Sequence, residues 1–348
     1  MADTGPKGTI LITGANGTLG SAIVQQVASK PEFAAYHGLY TVRDTTNAPA
    51  LNSALEQGPA HHYDVVPLEL TNLESVRKVA DGINARISAG EIPPIRALIL
   101  AAGFQDFGNQ SWTEDGLDTT FAANYLGQWL LTLLLLKSID KEAGRIVIIG
   151  SQGHDPEDPR NAVTKAFDDP KYKTIVSDAA SFEAIAKGEW SPASEDASFR
   201  GGFRRYAASK LFLIMMQHEL QARLDADPEL NQISVLGIDP GTMITGLQRL
   251  APWFIRVVIF QVIYPFLLYM NPDNGRVRPT SRSASDTLEV AFGVGEGGDL
   301  PKDKYFDGRE PRETGKESKD PAKRELVWAE TVKLANLKEG ETALRKWQ

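Results

Sequence analysis

Tyr206 and Lys210 stand four apart in the stretch RYAASKLFLIMM, a spacing that puts both side chains on one face of a helix. A phenol with a pKa of about 10 is a poor proton donor or acceptor near neutrality. A cation held beside it stabilises the phenolate and brings that pKa toward a useful range. Such a pair can pass a proton to or from a substrate oxygen while a nicotinamide passes hydride. With nine tyrosines in the chain, about half a match to Y-x-x-x-K is expected by chance, so the pair gains weight only from its surroundings.

A second constellation is the stretch TGANGTLG, Thr13 to Gly20, with glycines at Gly14, Gly17 and Gly20. It follows the apolar run GTILIT and precedes the amphipathic run SAIVQQVAS, the strand-to-helix setting that a dinucleotide site demands. There the chain turns tightly, approaches a pyrophosphate closely and presents helix N-terminal amides to it. A plain structural turn is the competing reading. Beyond the second strand-like run stands Arg43, whose guanidinium suits the 2′-phosphate of NADP, or which serves as a surface cation in a loop. Asp44 follows at once and suits the ribose diol of NAD instead. Because the arginine comes first, the spacing favours NADP(H) over NAD(H).

The elements that must position these residues alternate. GTILIT, GLYTVR, VVPLEL, IRALILAA, GRIVIIG and ISVLGI read as strands, and SAIVQQVAS, TFAANYLGQWLLTLLLL and RYAASKLFLIMMQHELQARL read as helices. This order predicts an α/β fold: a Rossmann-type doubly wound parallel sheet with helices on both faces, as a single domain over residues 1–348. Residues 152–203, rich in Asp, Glu, Pro and Ser, break the rhythm and read as an insertion folded over the domain as a lid, or as a solvated excursion. Residues 246–280 carry an apolar segment, with WFIRVVIFQVIYPFLLYM at Trp253 to Met270. Arg256, Gln261 and Pro265 interrupt it, which favours a substrate-covering or interfacial helix over a membrane span. Residues 311–348 form a charged C-terminal extension, in which ELVWAETVKLANL has helical spacing and packs back on the domain.

Composition narrows the function. The chain of 348 residues carries a formal net charge of −8 and no dense basic run, which argues against a nucleic-acid partner. With no cysteine there are no disulfides, thiolate metal sites or cysteine nucleophiles, and five histidines make a metal site improbable. The polar start MADTGPK has no apolar signal core, and a cytoplasmic protein is expected, with peripheral membrane contact through 253–270 as a variant. A homo-oligomer through the same apolar segment is compatible with the sequence.

Taken together, these residues resemble the short-chain dehydrogenase/reductase family. TGANGTLG stands where that family has its glycine motif, and AAG (Ala101, Ala102, Gly103) ends the fourth strand where the family has Asn-Ala-Gly. Asn124 matches the asparagine of the long fourth helix, Ser151 follows the fifth strand, and PGTMIT (Pro240 to Thr245) matches the stretch that caps the nicotinamide. The likeness runs from about Gly8 to Thr245. It implies Asn124, Ser151, Tyr206 and Lys210 as the catalytic set. Tyr206 donates the proton, Lys210 lowers its pKa and binds the nicotinamide ribose, Ser151 holds the substrate oxygen, and Asn124 holds a water linking Lys210 to solvent. It also implies cofactor contacts at Thr13, Gly14, Asn16, Gly17, Thr18, Leu19, Gly20, Arg43, Glu69, Leu70, Ala101, Ala102, Gly103, Tyr206, Lys210, Pro240, Gly241, Thr242 and Thr245, with Glu69 in place of the aspartate that contacts adenine.

Three departures stand out. Thr18 occupies the place of the motif's middle glycine, and Ala101 replaces an asparagine that steadies the loop. Ser151 and Tyr206 lie 55 positions apart, so an insertion of some forty residues loops out between them. With this insertion, the Arg after the second strand and N-x-L-G in the fourth helix, the chain resembles retinol-dehydrogenase-like and carbonyl-reductase-like members, and fungal reductases in particular, including its stretch SQGHDPEDPRN. The expected function is an NADP(H)-dependent oxidoreductase that interconverts a ketone or aldehyde and an alcohol. Its substrate is expected to be a bulky apolar small molecule, such as a secondary metabolite or a retinoid- or steroid-like compound. A dinucleotide-binding protein with a regulatory or non-redox role, such as cyclisation, is the alternative.

Overall fold

A computed structural model describes residues 6–58, 60–243, 277–294 and 300–348. The apolar runs form strands β1 (Gly8–Ile12), β2 (Tyr36–Val42), β3 (Tyr63–Pro67), β4 (Ile95–Leu100), β5 (Arg145–Ile149) and β6 (Ser234–Asp239), joined at one edge by the short strands β7 (Tyr305–Asp307) and β8 (Glu310–Pro311). The sheet order is β3-β2-β1-β4-β5-β6-β7-β8, parallel throughout except for the β7–β8 pair. Between β1 and β4 the strand order reverses, and the carboxyl ends there are where such sheets bind ligands.

Alternation along the strands sends side chains into two cores. Ile10, Ile12, Ala97, Ile99, Val147 and Ile149 face helices α1 (Thr18–Ser29), α2 (Pro49–Leu55) and α8 (Thr280–Phe292). Leu11, Leu98, Leu100, Ile146 and Ile148 face the other layer. That layer comprises α3 (Leu73–Ser88), α4 (Thr119–Phe121), α5 (Gly127–Leu135) and α7 (Phe199–Asp225). Burial on both faces explains why the strands read as continuous apolar runs. The doubly wound fold expected from the alternating runs is the one observed.

The insertion carries α6 (Ala179–Ala186), and its Ile175, Val176, Phe182 and Ile185 sit in the same core as Leu98 and Ile146. It is therefore part of the domain's packing rather than a solvated excursion. Its last residues differ from the expected boundary: α7 starts at Phe199, so the helix carrying Tyr206 begins inside the insertion. Gly201 and Gly202 obscure that start in the sequence, yet each is required by close approach. A Cβ on Gly202 would stand 2.3 Å from Asp106 Oδ1, and one on Gly201 would stand 2.0 Å from the Asp196 carbonyl.

The C-terminal extension also joins this core. It forms α9 (Lys316–Lys319) and α10 (Pro321–Leu334), and the Trp328 ring meets Trp129 edge-on with centroids 5.2 Å apart. Among the described residues no helix is long and apolar enough to cross a membrane. The segment Trp253–Met270, expected to cover substrate or meet a membrane, lies outside the described residues, as does Thr245.

Candidate active site

The glycine stretch forms a tight loop between β1 and α1. Gly14 has φ +66°, and a Cβ there would lie 2.7 Å from Ala102 Cα, so the loop presses directly on the end of β4. A Cβ on Gly20 would lie 2.3 Å from the Gly14 carbonyl, so α1 can pack against its own loop only with glycine there. Gly17 is the N-cap of α1 and no side chain caps that end. Thr18 is the first helical residue and is half-buried, and Leu19 is buried. Asn16 serves the fold at the next helix, where its Oδ1 accepts the N–H groups of Ala50 (3.0 Å) and Leu51 (3.2 Å) at the start of α2.

At the end of β2, Arg43 is exposed and makes no hydrogen bond or ion pair within the described residues. Asp44 is engaged: its Oδ1 accepts the backbone N–H (2.8 Å) and hydroxyl (2.6 Å) of Thr46, which hold its pKa below the usual carboxylate value. Glu69 closes the turn before α3 by accepting the Thr71 hydroxyl at 2.7 Å and the Thr71 N–H at 3.0 Å. Leu70 is buried, and its carbonyl lies where a Cβ on Gly127 would collide, 2.0 Å away.

The Ala101–Gly103 stretch has its own fastening in place of the missing asparagine. Thr13 Oγ1 accepts the Ala102 N–H at 3.1 Å and donates to Gln128 Oε1 at 2.9 Å, and Gln128 Nε2 donates to the Ala102 carbonyl at 3.0 Å. Gln128 is fully buried in the leucine-rich helix, and its polarity there is the signal that sequence reading passed over. Asn124 lies within a π-helical turn, Ala122–Leu126. Its Oδ1 accepts the Phe104 N–H at 2.7 Å, while Nδ2 donates to the Phe104 carbonyl and to Ser209 Oγ, both at 2.9 Å. The side-chain amide is thus spent on the loop after β4 and on α7.

Ser151, Tyr206 and Lys210 come together although they are distant in sequence. Ser151 follows β5, its Oγ accepts the Gly153 N–H at 3.1 Å, and it stands near enough to the Tyr206 phenol to favour the ionised form. Lys210, 3% exposed, lies with Nζ 5.6 Å from the Tyr206 ring centroid and donates to the Ile149 carbonyl at 2.8 Å. Burial drives the Tyr206 phenol well above its usual pKa, against the lowering effect of the Ser151 hydrogen bond. Burial also lowers Lys210 to about 8, partly offset by the carboxylate of Asp239. A half-buried phenol, a hydroxyl on it and a cation behind it form an arrangement suited to proton transfer. Pro240 and Gly241 follow β6. Gly241 has φ +79° and lies close under the Arg278 side chain, and Thr242 pairs with Val277.

Two arginines just before Tyr206 escaped sequence reading. Arg205 forms a bidentate pair with Asp106 and donates to the Ser191 carbonyl; Arg204 reaches Ser191 Oγ at 2.8 Å, Asp196 at 2.8 Å and the Ala166 carbonyl at 3.2 Å. They pin the insertion and the loop after β4 to the helix that carries Tyr206.

A dinucleotide-type loop at the sheet's switch point and a Ser–Tyr–Lys cluster beside it define a nicotinamide-dependent oxidoreductase of Rossmann type. The short chain dehydrogenase family model matches residues 8–163. A short-chain dehydrogenase of Talaromyces variabilis, iccH, is 38% identical over 98% of this chain and 99% of its own length. The polyprenol dehydrogenase of Mus musculus is 26% identical over 98% of this chain and 88% of its own. The solved structure of an angucycline C-6 ketoreductase with bound NADP superposes with a TM-score of 0.57 at 16% identity, covering 87% of this chain and 94% of that one. An NADPH-bound carbonyl reductase from chicken fatty liver gives 0.56 at 16% identity, covering 89% and 100%. The chain belongs to the short-chain dehydrogenase/reductase family and is an oxidoreductase acting between CH–OH and C=O groups.

Proposed function

We propose that this enzyme uses NADP(H) to interconvert a bulky apolar ketone or aldehyde and its alcohol, with Tyr206 as the proton donor in reduction. The convergence of Ser151, the Tyr206 phenol whose pKa it lowers, and the Lys210 ammonium 5.6 Å from the Tyr206 ring is the observation that carries this reading. The loop fits a dinucleotide: Gly14 and Gly20 let it turn tightly against the end of β4 and against α1, whose N-terminus no side chain caps. Thr13 to Gly20 line the pyrophosphate, and Ala101 to Gly103, Glu69 and Leu70 wall the adenosine side. Pro240, Gly241 and Thr242 lie over the nicotinamide. Arg43, free of other partners among the described residues, meets the 2′-phosphate, while Asp44 is already committed to Thr46.

When bound, the dinucleotide supplies or accepts the hydride. The chain's own residues manage the proton. Ser151 orients the substrate oxygen and stabilises charge developing on it; Tyr206 donates its phenolic proton to that oxygen; Lys210 stabilises the phenolate left behind. Asn124 holds the loop after β4 and α7 in register, so that the pair faces the substrate.

An apolar, ring-bearing substrate is supported by the aromatic rings beside Tyr206. Phe203 lies 6.2 Å from the Tyr206 ring and stacks on Phe199 at 5.6 Å. The names of two similar proteins, a polyprenol dehydrogenase and an angucycline ketoreductase, point to bulky apolar substrates for those proteins. The test is a panel of polycyclic ketones, long-chain enals and small ketones with NADPH or NADH, followed by loss of reduced-cofactor absorbance. Tyr206→Phe is expected to lose about 10²-fold or more in kcat with NADPH affinity retained. Turnover undiminished by that change overturns the reading.

A further inference from the structure

Asp239, 4% exposed, ends β6 one residue past Ile238, which pairs with Ile149, the residue whose carbonyl accepts the Lys210 ammonium at 2.8 Å. One carboxylate oxygen, Oδ1, accepts the Gly241 N–H at 3.0 Å. The other, Oδ2, has no aligned hydrogen-bond donor, but stands 3.2 Å from Nη1 of Arg160. Arg160 comes from the 152–203 insertion, and the same guanidinium also binds Asp158 at 2.8 Å and Asp307 at 2.9 Å. Arg312 bridges those two outer carboxylates, and Arg278 binds Asp307 at 2.7 Å while its Nη1 donates to the Asp239 carbonyl. The titratable groups within the field of Asp239 are Tyr206, Lys210, Tyr305, His154 and Arg160.

The electrostatic consequence has a definite sign. A buried carboxylate beside a phenol opposes its ionisation, and beside an ammonium it favours the charged form. Asp239 acts in that sense on both Tyr206 and Lys210. A guanidinium close to Asp239 offsets part of this field, and in a poorly hydrated site the offset is large. Asp158 and Asp307 share Arg160, which limits how much of its charge reaches Asp239.

We propose that Asp239 is a positioning residue that holds the proton on the Tyr206–Lys210 pair, and that Arg160, delivered by the insertion, is its counter-charge. The insertion thereby helps to set how readily the pair releases its proton. This inference rests on the reading of Tyr206 as proton donor.

The test is the pH dependence of kcat/KM for NADPH-driven reduction of a carbonyl that the wild type accepts. Reduction needs the proton on the pair, so the rate falls as pH rises through the pair's apparent pKa. Asp239→Asn keeps an acceptor for the Gly241 N–H and removes the charge. It is expected to move that falling limb to lower pH by about one unit. Arg160→Gln is expected to move it to higher pH, and Arg160→Lys to return it toward wild type. In the double variant the two shifts should largely offset each other, because the potentials of the two charges at the pair add.

A merely structural role predicts losses of rate without opposed shifts of the limb. If Asp239→Asn is folded and active but keeps the wild-type limb, the inference is overturned while the assignment of Tyr206 stands. A shift to lower pH in both single variants overturns the role given to Arg160. Should Arg160→Gln fail to fold, Arg160→Lys and Asp239→Asn still decide the question by the same profile. Failure of the underlying reading shows differently, as full activity in Tyr206→Phe.

Discussion

Arg205 and Asp106 form a buried bidentate ion pair one residue before Tyr206, with Nε–Oδ2 at 2.8 Å and Nη2–Oδ1 at 3.0 Å. The pair joins the N-terminal turns of α7 to the loop leaving β4, and so fixes the turn that carries Tyr206. Desolvating two charges is costly, and the pair is tolerated because Asp106 also accepts the Gly108 N–H at 2.7 Å and Arg205 also donates to the Ser191 carbonyl.

Removing one partner strands the other. Arg205→Ala is expected to destabilise the fold by about 3–5 kcal/mol, since Asp106 then remains buried and unpaired. Arg205→Leu combined with Asp106→Leu should cost less than Arg205→Ala alone. Urea unfolding midpoints measure both, and equal losses would count against the stranded-charge account.

A glycine in close approach should separate from one that meets nothing. Gly20→Ala drives a methyl onto the Gly14 carbonyl and is expected to weaken NADPH binding at least tenfold, about 1.4 kcal/mol. Gly82, inside α3, has open space around the position of a Cβ. Gly82→Ala is expected to raise stability by about 0.5–1 kcal/mol with affinity unchanged. Titration calorimetry with NADPH and thermal melting of the same samples distinguish the two effects.

Cofactor choice should rest on Arg43. Its replacement by alanine removes a charge-assisted contact to the 2′-phosphate, a loss of about 1.5–3 kcal/mol. NADPH affinity is then expected to fall by about 10- to 100-fold with NADH affinity little changed. Parallel losses for both dinucleotides would place Arg43 elsewhere.

His154 makes the fastening between the Ser151 turn and the C-terminal extension sensitive to acid. Its Nε2 accepts the Gly315 N–H at 3.0 Å, which leaves the proton on Nδ1, hydrogen-bonded to the Ser151 carbonyl at 2.6 Å. Burial lowers its pKa below the ordinary histidine value. The folded state therefore binds fewer protons than the unfolded one below about pH 6.5, and stability falls as pH drops through that window. Melting temperature measured from pH 7 to 5 should decline in the wild type and more gently in His154→Gln. Identical slopes would remove His154 from the account.

Much of the fold was legible because parallel strands buried on both faces are continuous apolar runs, each followed by a helix with its own period. GTILI, IRALIL, RIVII and SVLGID became β1, β4, β5 and β6 with shifts of a few residues at their ends. The strands β7 and β8 did not announce themselves. With three and two residues they are too short to carry a pattern, and their pairing depends on β6 lying alongside. The start of α7 was concealed by two glycines, of which Gly202 is required by the loop after β4, far away in sequence, and Gly201 by the nearby Asp196 carbonyl.

By itself the sequence determined the sheet, the glycine loop and the types and order of the candidate residues, because each is written in local period or short spacing. Only the tertiary structure decided which of them meet. It turned Asn16 toward α2 and spent the Asn124 amide on Phe104 and Ser209. It steadied the loop after β4 with Thr13 and Gln128, set Arg160 beside Asp239, and paired Arg204 and Arg205 of the Tyr206 helix with Asp196 and Asp106. Those partners lie up to about a hundred residues apart, and a buried charge or amide selects its partner by desolvation and geometry, which no local pattern records.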